Sequence, residues 1–179
     1  IFKSPVIRFF LLSIVISTLS VSFNLVHSDM AENWIEALRM ALFQVVTIST
    51  TTGFATADTS VWPTFSILIL LYLSIQGACS GSTTGGLKVD RIWILIQTIK
   101  VQMTKLLHPT SVVQIKVGNR RIDSDLSLSV SAYVALHFFM IIIGAIVISA
   151  WGLDFMDSFT SSVSMMGNVG PAFGSCGSL

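Results

Sequence analysis

Apolar residues fall in four stretches of unequal length, and the inequality is informative. Residues 9–26 and 130–151 each approach the roughly 20 residues that cross a hydrocarbon core about 30 Å thick, so both are expected to be full spans. Residues 65–79 are apolar but run into the small polar tract 80–86, after which residues 92–99 (IWILIQTI) are apolar again. One helix, broken in the middle, is the expected result. A break at membrane depth exposes backbone N–H and C=O groups, which is tolerable only where protein or a water-filled cavity satisfies them. Two further segments, 30–49 and 154–166, are apolar enough to bury but carry acids near their starts, with Asp29 and Glu32 in capping-box-like spacing before the first. They are expected to enter the membrane without crossing it, and each ends in a glycine-containing tract, Thr51-Thr52-Gly53-Phe54-Ala55 and Asn168-Val169-Gly170-Pro171-Ala172.

These segments repeat. A shift of 117 positions lays Trp34 on Trp151, Leu42 on Phe159, Val46 on Val163, Thr47 on Ser164, Gly53 on Gly170 and Ala55 on Ala172. The common order is span, descending helix, glycine-containing loop and returning helix, of which the second copy lacks the last. The chain starts at Ile1 and ends at Leu179 directly after the second loop, so it is expected to be part of something longer. Composition agrees with membrane residence: 53% of residues are hydrophobic, 11% are charged, and mean hydropathy is +0.81, whereas soluble domains carry about a quarter charged residues. A net charge of +1 implies no attraction to nucleic acid, and Cys79 and Cys176 have neither disulfide-framework nor zinc-site spacing.

The placement of charge says more than its sum. With the chain beginning inside, Lys3, Arg8, Lys88, Arg91, Lys100, Lys105, Lys116, Arg120 and Arg121 lie on the inner side and only Arg39 lies outside, in agreement with the positive-inside rule. Asp29, Glu32, Glu36, Asp58, Asp154 and Asp157 are then external and would concentrate cations at a mouth. A cation that sheds water needs replacement oxygens, and the short tracts Thr51, Thr52, Gly53, Phe54 and Asn168, Val169, Gly170, Pro171 can supply consecutive carbonyls. Gly53 and Gly170 permit the crowded or left-handed backbone such a loop requires. Plain turns between helices are the alternative for either tract taken alone. Gly81, Ser82, Thr83, Thr84, Gly85 and Gly86 precede Lys88 but miss the phosphate-binding G-x-x-x-x-G-K-[ST] spacing, since Leu87 intervenes and no strand comes before. A flexible insert that opens or blocks a pathway is the expectation, with Lys88 and Arg91 holding its position or anchoring the inner membrane face. His137, inside a span, is expected to pack or make a structural hydrogen bond.

Five ordered motifs carry a family resemblance: STTTGFATAD, GACSGSTTGGLKVDRI, LLHP, KVGNRRI and GNVGPAFG. The chain resembles the Trk/Ktr/HKT superfamily of potassium transporters, most of all the Trk-type bacterial membrane subunit, over nearly its whole length. The resemblance implies an all-α integral membrane fold of span–pore helix–filter loop–span repeats around a pseudo-fourfold, channel-like pore. Residues 1–108 correspond to a third repeat, 109–125 to a cytosolic connection and 126–179 to part of a fourth. Gly53 and Gly170 match filter glycines, and Gly81 to Gly86 match an intramembrane gating loop. Thr84 stands where the family often has glycine, so a stiffer loop is expected.

The same resemblance implies potassium uptake at the bacterial inner membrane, with residues 88–125 cytoplasmic and the pore mouths external. Implied partners are the remaining repeats, a second copy in a homodimer, a cytosolic nucleotide-binding regulatory subunit and membrane lipid. Potassium at the filter residues is cargo, and neither a cofactor nor a transition metal is expected. A secondary transporter binding a small solute at broken helices is the alternative. A hydrolase is not expected, because HExxH, GxSxG and paired intramembrane aspartates are all missing from the sequence.

Overall fold

The computed structural model describes residues 4–108, 116–117 and 120–173; Lys3, Cys176 and most of the connection 109–125 lie outside the described residues. Among the described residues, two helices are long and apolar enough to cross a membrane, α1 (Pro5–His27) and α5 (Ser124–Ser149). Pro5 opens α1, where its missing N–H is one of the donors a helix start leaves free anyway. Each span is followed by a turn and a shorter helix packed back against it, α2 (Trp34–Ser49) on α1 and α6 (Phe155–Gly167) on α5. The broken helix is α3 (Thr64–Gln76) and α4 (Val89–Leu107), separated by residues 77–88. A 3-10 turn, Thr59–Val61, precedes α3. The connection contains a small antiparallel hairpin, β1 (Lys116–Val117) and β2 (Arg120–Arg121), with Lys116 opposite Arg121.

One local expectation is corrected. The first re-entrant helix begins at Trp34 behind Asn33, so the spacing of Asp29 and Glu32 makes no capping box; Asp29 instead takes a left-handed turn at φ 52°. Residues 77–88 are held at several points by hydrogen bonds, as described below. The helix after the break also runs to Leu107, past the apolar residues and over Lys100 and Lys105.

Packing centres on α3, which lies among α1, α2 and α6. Its Leu70, Leu71 and Leu73 join Val21 and Leu25 of α1, Ala41, Val45 and Ile48 of α2, and Val163 of α6 in one buried cluster. Hydrocarbon gives helices no hydrophobic reason to associate, so close approach and interhelical hydrogen bonds hold them together. Ser66 donates to Asn24 Oδ1 at 2.8 Å, tying α3 to α1, and Gln76 Nε2 donates to Ser13 Oγ at 2.9 Å one helix end further on. Ser162 of α6 donates to the Ile141 carbonyl at 2.7 Å across a contact so close that a Cβ on Gly144 would collide with the Ser162 hydroxyl. Outward-facing Leu, Ile and Phe side chains on α1 and α5 are exposed, the face a span presents to lipid.

Candidate functional site

Both re-entrant helices end on their glycine-containing loops, and the two ends are built alike. In the first, Thr51 N–H donates to Ile48 O at 3.0 Å and Thr52 N–H to Thr47 O at 2.8 Å. In the second, Asn168 N–H donates to Met165 O at 3.1 Å and Val169 N–H to Ser164 O at 3.0 Å. Every donor and acceptor is related by the 117-residue shift read from the sequence. Thr51 and Asn168 are both left-handed, at φ 53° and 52°, and Gly53 and Gly170 follow at φ 78° and 107°. The repeat, weak in identity, is therefore strong in backbone geometry.

A hydroxyl on the helix supports each loop. Thr47 Oγ1 accepts the Phe54 N–H at 3.0 Å, and Ser164 Oγ donates to the Pro171 carbonyl at 2.7 Å. These two buried hydroxyls are the functional residues that sequence reasoning left without a role. The signal was present, because Thr47 and Ser164 align and each sits seven positions before its partner. Thr50 turns its hydroxyl back to Val46 O at 2.7 Å and pairs with Thr52 Oγ1 at 2.8 Å, closing the helix end.

The loops touch. A Cβ on Gly53 would collide with the Val169 carbonyl oxygen and would lie 3.4 Å from Pro171 Cδ. The carbonyls of residues 51–54 and 168–170 accept no hydrogen bond from any described residue, although an unpaired carbonyl at membrane depth is costly. They lie beside the C-terminal, partially negative ends of α2 and α6, neither of which has a basic residue in its last turn. Such an arrangement offers oxygens to a cation. Side chains diverge: Phe54 is 70% exposed, whereas Val169 is 4% exposed and packs into the core. The Pro171 carbonyl already accepts from Ser164, so its remaining capacity is one lone pair. A groove of ≈ 500 Å³ runs along the outer face of α2, lined by Leu42, Phe43, Val46, Thr50, Thr52 and Phe54 among others.

Residues 77–88 fold back beneath the second loop. Leu87 N–H donates to Ile75 O at 2.9 Å and Val89 N–H to Ala78 O at 3.1 Å, closing the segment at its base. Inside it, Ser82 Oγ pairs with Thr84 Oγ1 at 2.6 Å and donates to Cys79 O at 2.7 Å, while Ala78 N–H reaches Thr84 Oγ1 at 3.3 Å. Thr84, standing where the family often has glycine, thus gives the segment a hydroxyl that joins Ala78 to Ser82. Lys88, itself left-handed at φ 68°, donates from Nζ to Ser82 O at 3.2 Å, and Asp90 accepts the Ser80 N–H. Arg91 lies with Cζ 4.0 Å from the Tyr133 ring centroid, joining α4 to α5. Thr83 and Gly81 are exposed at the tip. His137 is buried beside Tyr133 and Phe138, so its packing is as expected, while its Nε2 has no partner among the described residues.

Span, re-entrant helix and carbonyl-bearing loop, twice over and joined at the loops, define a membrane protein built from repeated span-and-re-entrant-helix units. The family model described as "TrkH: Cation transport protein" matches residues 2–179, and the chain belongs to that family. It is 35% identical over 161 residues to the Trk system potassium uptake protein TrkH of Escherichia coli K12, covering 90% of this chain and 32% of that protein. It is 34% identical over 177 residues to TrkH of Halomonas elongata, covering 97% of this chain and 36% of the relative. The crystal structure of the potassium transporter TrkH from Vibrio parahaemolyticus superposes with a TM-score of 0.90 at 31% identity, over 98% of this chain and 37% of that one. The chain spans about a third of the length of these relatives.

Proposed function

We propose that this chain supplies two of the units of a potassium-uptake pore in the bacterial inner membrane. The observation that carries the proposal is the contact between two geometrically equivalent loops whose carbonyls at 51–54 and 168–170 accept no hydrogen bond from any described residue. Relatives over this same region are named for potassium uptake. Potassium enters from an acidic outer mouth, exchanges water for the carbonyls of Thr51, Thr52, Gly53, Phe54, Asn168, Val169 and Gly170, and leaves past residues 81–86. In this reading Pro171 closes the second loop rather than supplying a full ligand. Residues 1–108 act as the third repeat, 109–125 as a cytosolic connection and 126–179 within the fourth. The open groove beside α2 and Phe54 takes a neighbouring repeat. The protein is a transporter rather than an enzyme, and it works with the remaining repeats, a second copy, a cytosolic nucleotide-binding subunit and surrounding lipid.

The test is rubidium uptake in potassium-uptake-deficient cells producing the complete transporter that contains this region. Restored uptake that is lost or made sodium-permeable by Gly53→Ser supports the reading. A wild-type transporter that reaches the membrane and carries no cation overturns it.

A further inference from the structure

Three glycines, two within residues 77–88 and one at the end of α6, are stacked backbone to backbone. A Cβ on Gly167, the last residue of α6, would lie 2.8 Å from the Ser74 carbonyl oxygen of α3. A Cβ on Gly85, in the segment beneath, would collide with the Gly167 carbonyl and lie 3.0 Å from Asn168 Cβ. A Cβ on Gly77 would lie 2.5 Å from the Gly85 carbonyl oxygen. In each case the nearest obstacle is backbone, which cannot rotate aside as a side chain can. The stack therefore fixes the height of the segment against the end of α6.

From there the contact continues into the carbonyl loops. Asn168, held left-handed by its N–H bond to Met165 O, follows Gly167 directly. Val169, pinned by its own N–H to Ser164 O, presents its carbonyl to Gly53 of the first loop. A displacement at Gly167 has two residues in which to dissipate, and both are hydrogen-bonded to α6. Below, Lys88 and Asp90 brace the segment from the opposite side.

We propose that Gly85 and Gly167 are positioning residues that couple residues 77–88 to the carbonyl loops, so that the segment sets ion preference as well as passage. This rests on the potassium-conduction reading above. Movement of the segment away from α6 removes the support under Gly167 and lets the Asn168–Val169 carbonyls relax, which changes the fit to the ion. Because coupling between two sites is reciprocal, an ion bound between the loops must also steady the segment.

Two measurements on the complete transporter test this. In the first, rubidium and sodium fluxes are compared in proteoliposomes for wild type and Gly85→Ala. The expected result is a rubidium-to-sodium ratio changed by about fivefold or more, the lower end of ordinary coupling. A ratio is independent of how much protein folds, so mere loss of packing does not mimic it. In the second, hydrogen exchange of the wild type is compared in potassium and in a choline medium. Potassium is expected to protect peptides covering 47–55 and 162–172 and, with them, the peptide covering 78–87. Protection of the carbonyl loops without the segment, or an unchanged ratio in Gly85→Ala, overturns the coupling. Wild-type protein that carries no rubidium and shows no potassium-dependent protection overturns the underlying reading instead.

Discussion

The two carbonyl loops share their hydrogen bonds and differ in what they cost. At the left-handed position the second loop has Asn168, a residue that tolerates this conformation, whereas the first has Thr51, whose branched Cβ crowds the backbone there. Gly53 of the first is wedged against Val169, whereas Gly170 of the second has no described atom within 4 Å of where a Cβ would lie. The second loop buries Val169 and Phe173, while the first exposes Thr52 and Phe54. Backbone strain persists where the surroundings enforce it, and such places are commonly functional ones. The first loop is thus the more demanding of the pair, held by contact with the second.

The largest expected effect separates the glycines. Gly53→Leu is expected to abolish selective rubidium uptake by a transporter present at wild-type level, because the added side chain meets a carbonyl. Gly170→Ala meets no described atom, costs about 1–3 kcal/mol for its positive φ, and should leave measurable uptake. Equal loss in both would erase the distinction. Next come the hydroxyl supports. Ser164→Ala leaves a buried carbonyl without its donor and is expected to destabilise the transporter by about 1–3 kcal/mol, read as a lowered midpoint of thermal unfolding in detergent. Thr47→Val strands the Phe54 N–H in a more open loop and should cost less.

Exchanging the left-handed residues is a smaller and sharper test. Thr51→Asn should stabilise by up to about 1 kcal/mol, and Asn168→Thr should destabilise by a similar amount, both measured by thermal unfolding. If Thr51→Asn is neutral for stability but harmful to uptake, the threonine is retained for its side chain. The smallest effect lies at the acidic turn after the first loop. The Ser60 hydroxyl and then its backbone N–H hold the Asp58 carboxyl below its ordinary value. The carboxylate's contribution is therefore present at neutral pH and lost as pH falls through that depressed value. Ser60→Ala should move the titration of Asp58 upward, as followed by side-chain carbonyl NMR.

Much of the architecture was legible in the order of apolar and polar blocks, because hydrocarbon tolerates so few arrangements of unpaired backbone. Residues 9–26 lie within α1, the stretch 130–151 overruns the end of α5 at Ser149 by two residues, and the break before Lys88 falls between α3 and α4. The start of α2 was misplaced because acids before a helix also fit an exposed turn. The bracing of residues 77–88 was not legible, since it depends on Lys88 and Asp90 reaching back to Ser82 and Ser80. The shift of 117 positions paired two tracts that share one loop geometry. It could not say that they touch, nor that Ser164 engages the Pro171 carbonyl, because contact between distant segments leaves no periodic mark.

The bond from Ser162 to the Ile141 carbonyl joins residues 21 apart within a single helical hairpin. A hydroxyl entering lipid must bring a partner or find one there. This one brings its partner on the preceding helix, beside a glycine that lets the two axes close. The α5–α6 pair can thus be delivered into the bilayer during synthesis as one preassembled element, with the Ser162 hydroxyl already matched before the other helices arrive.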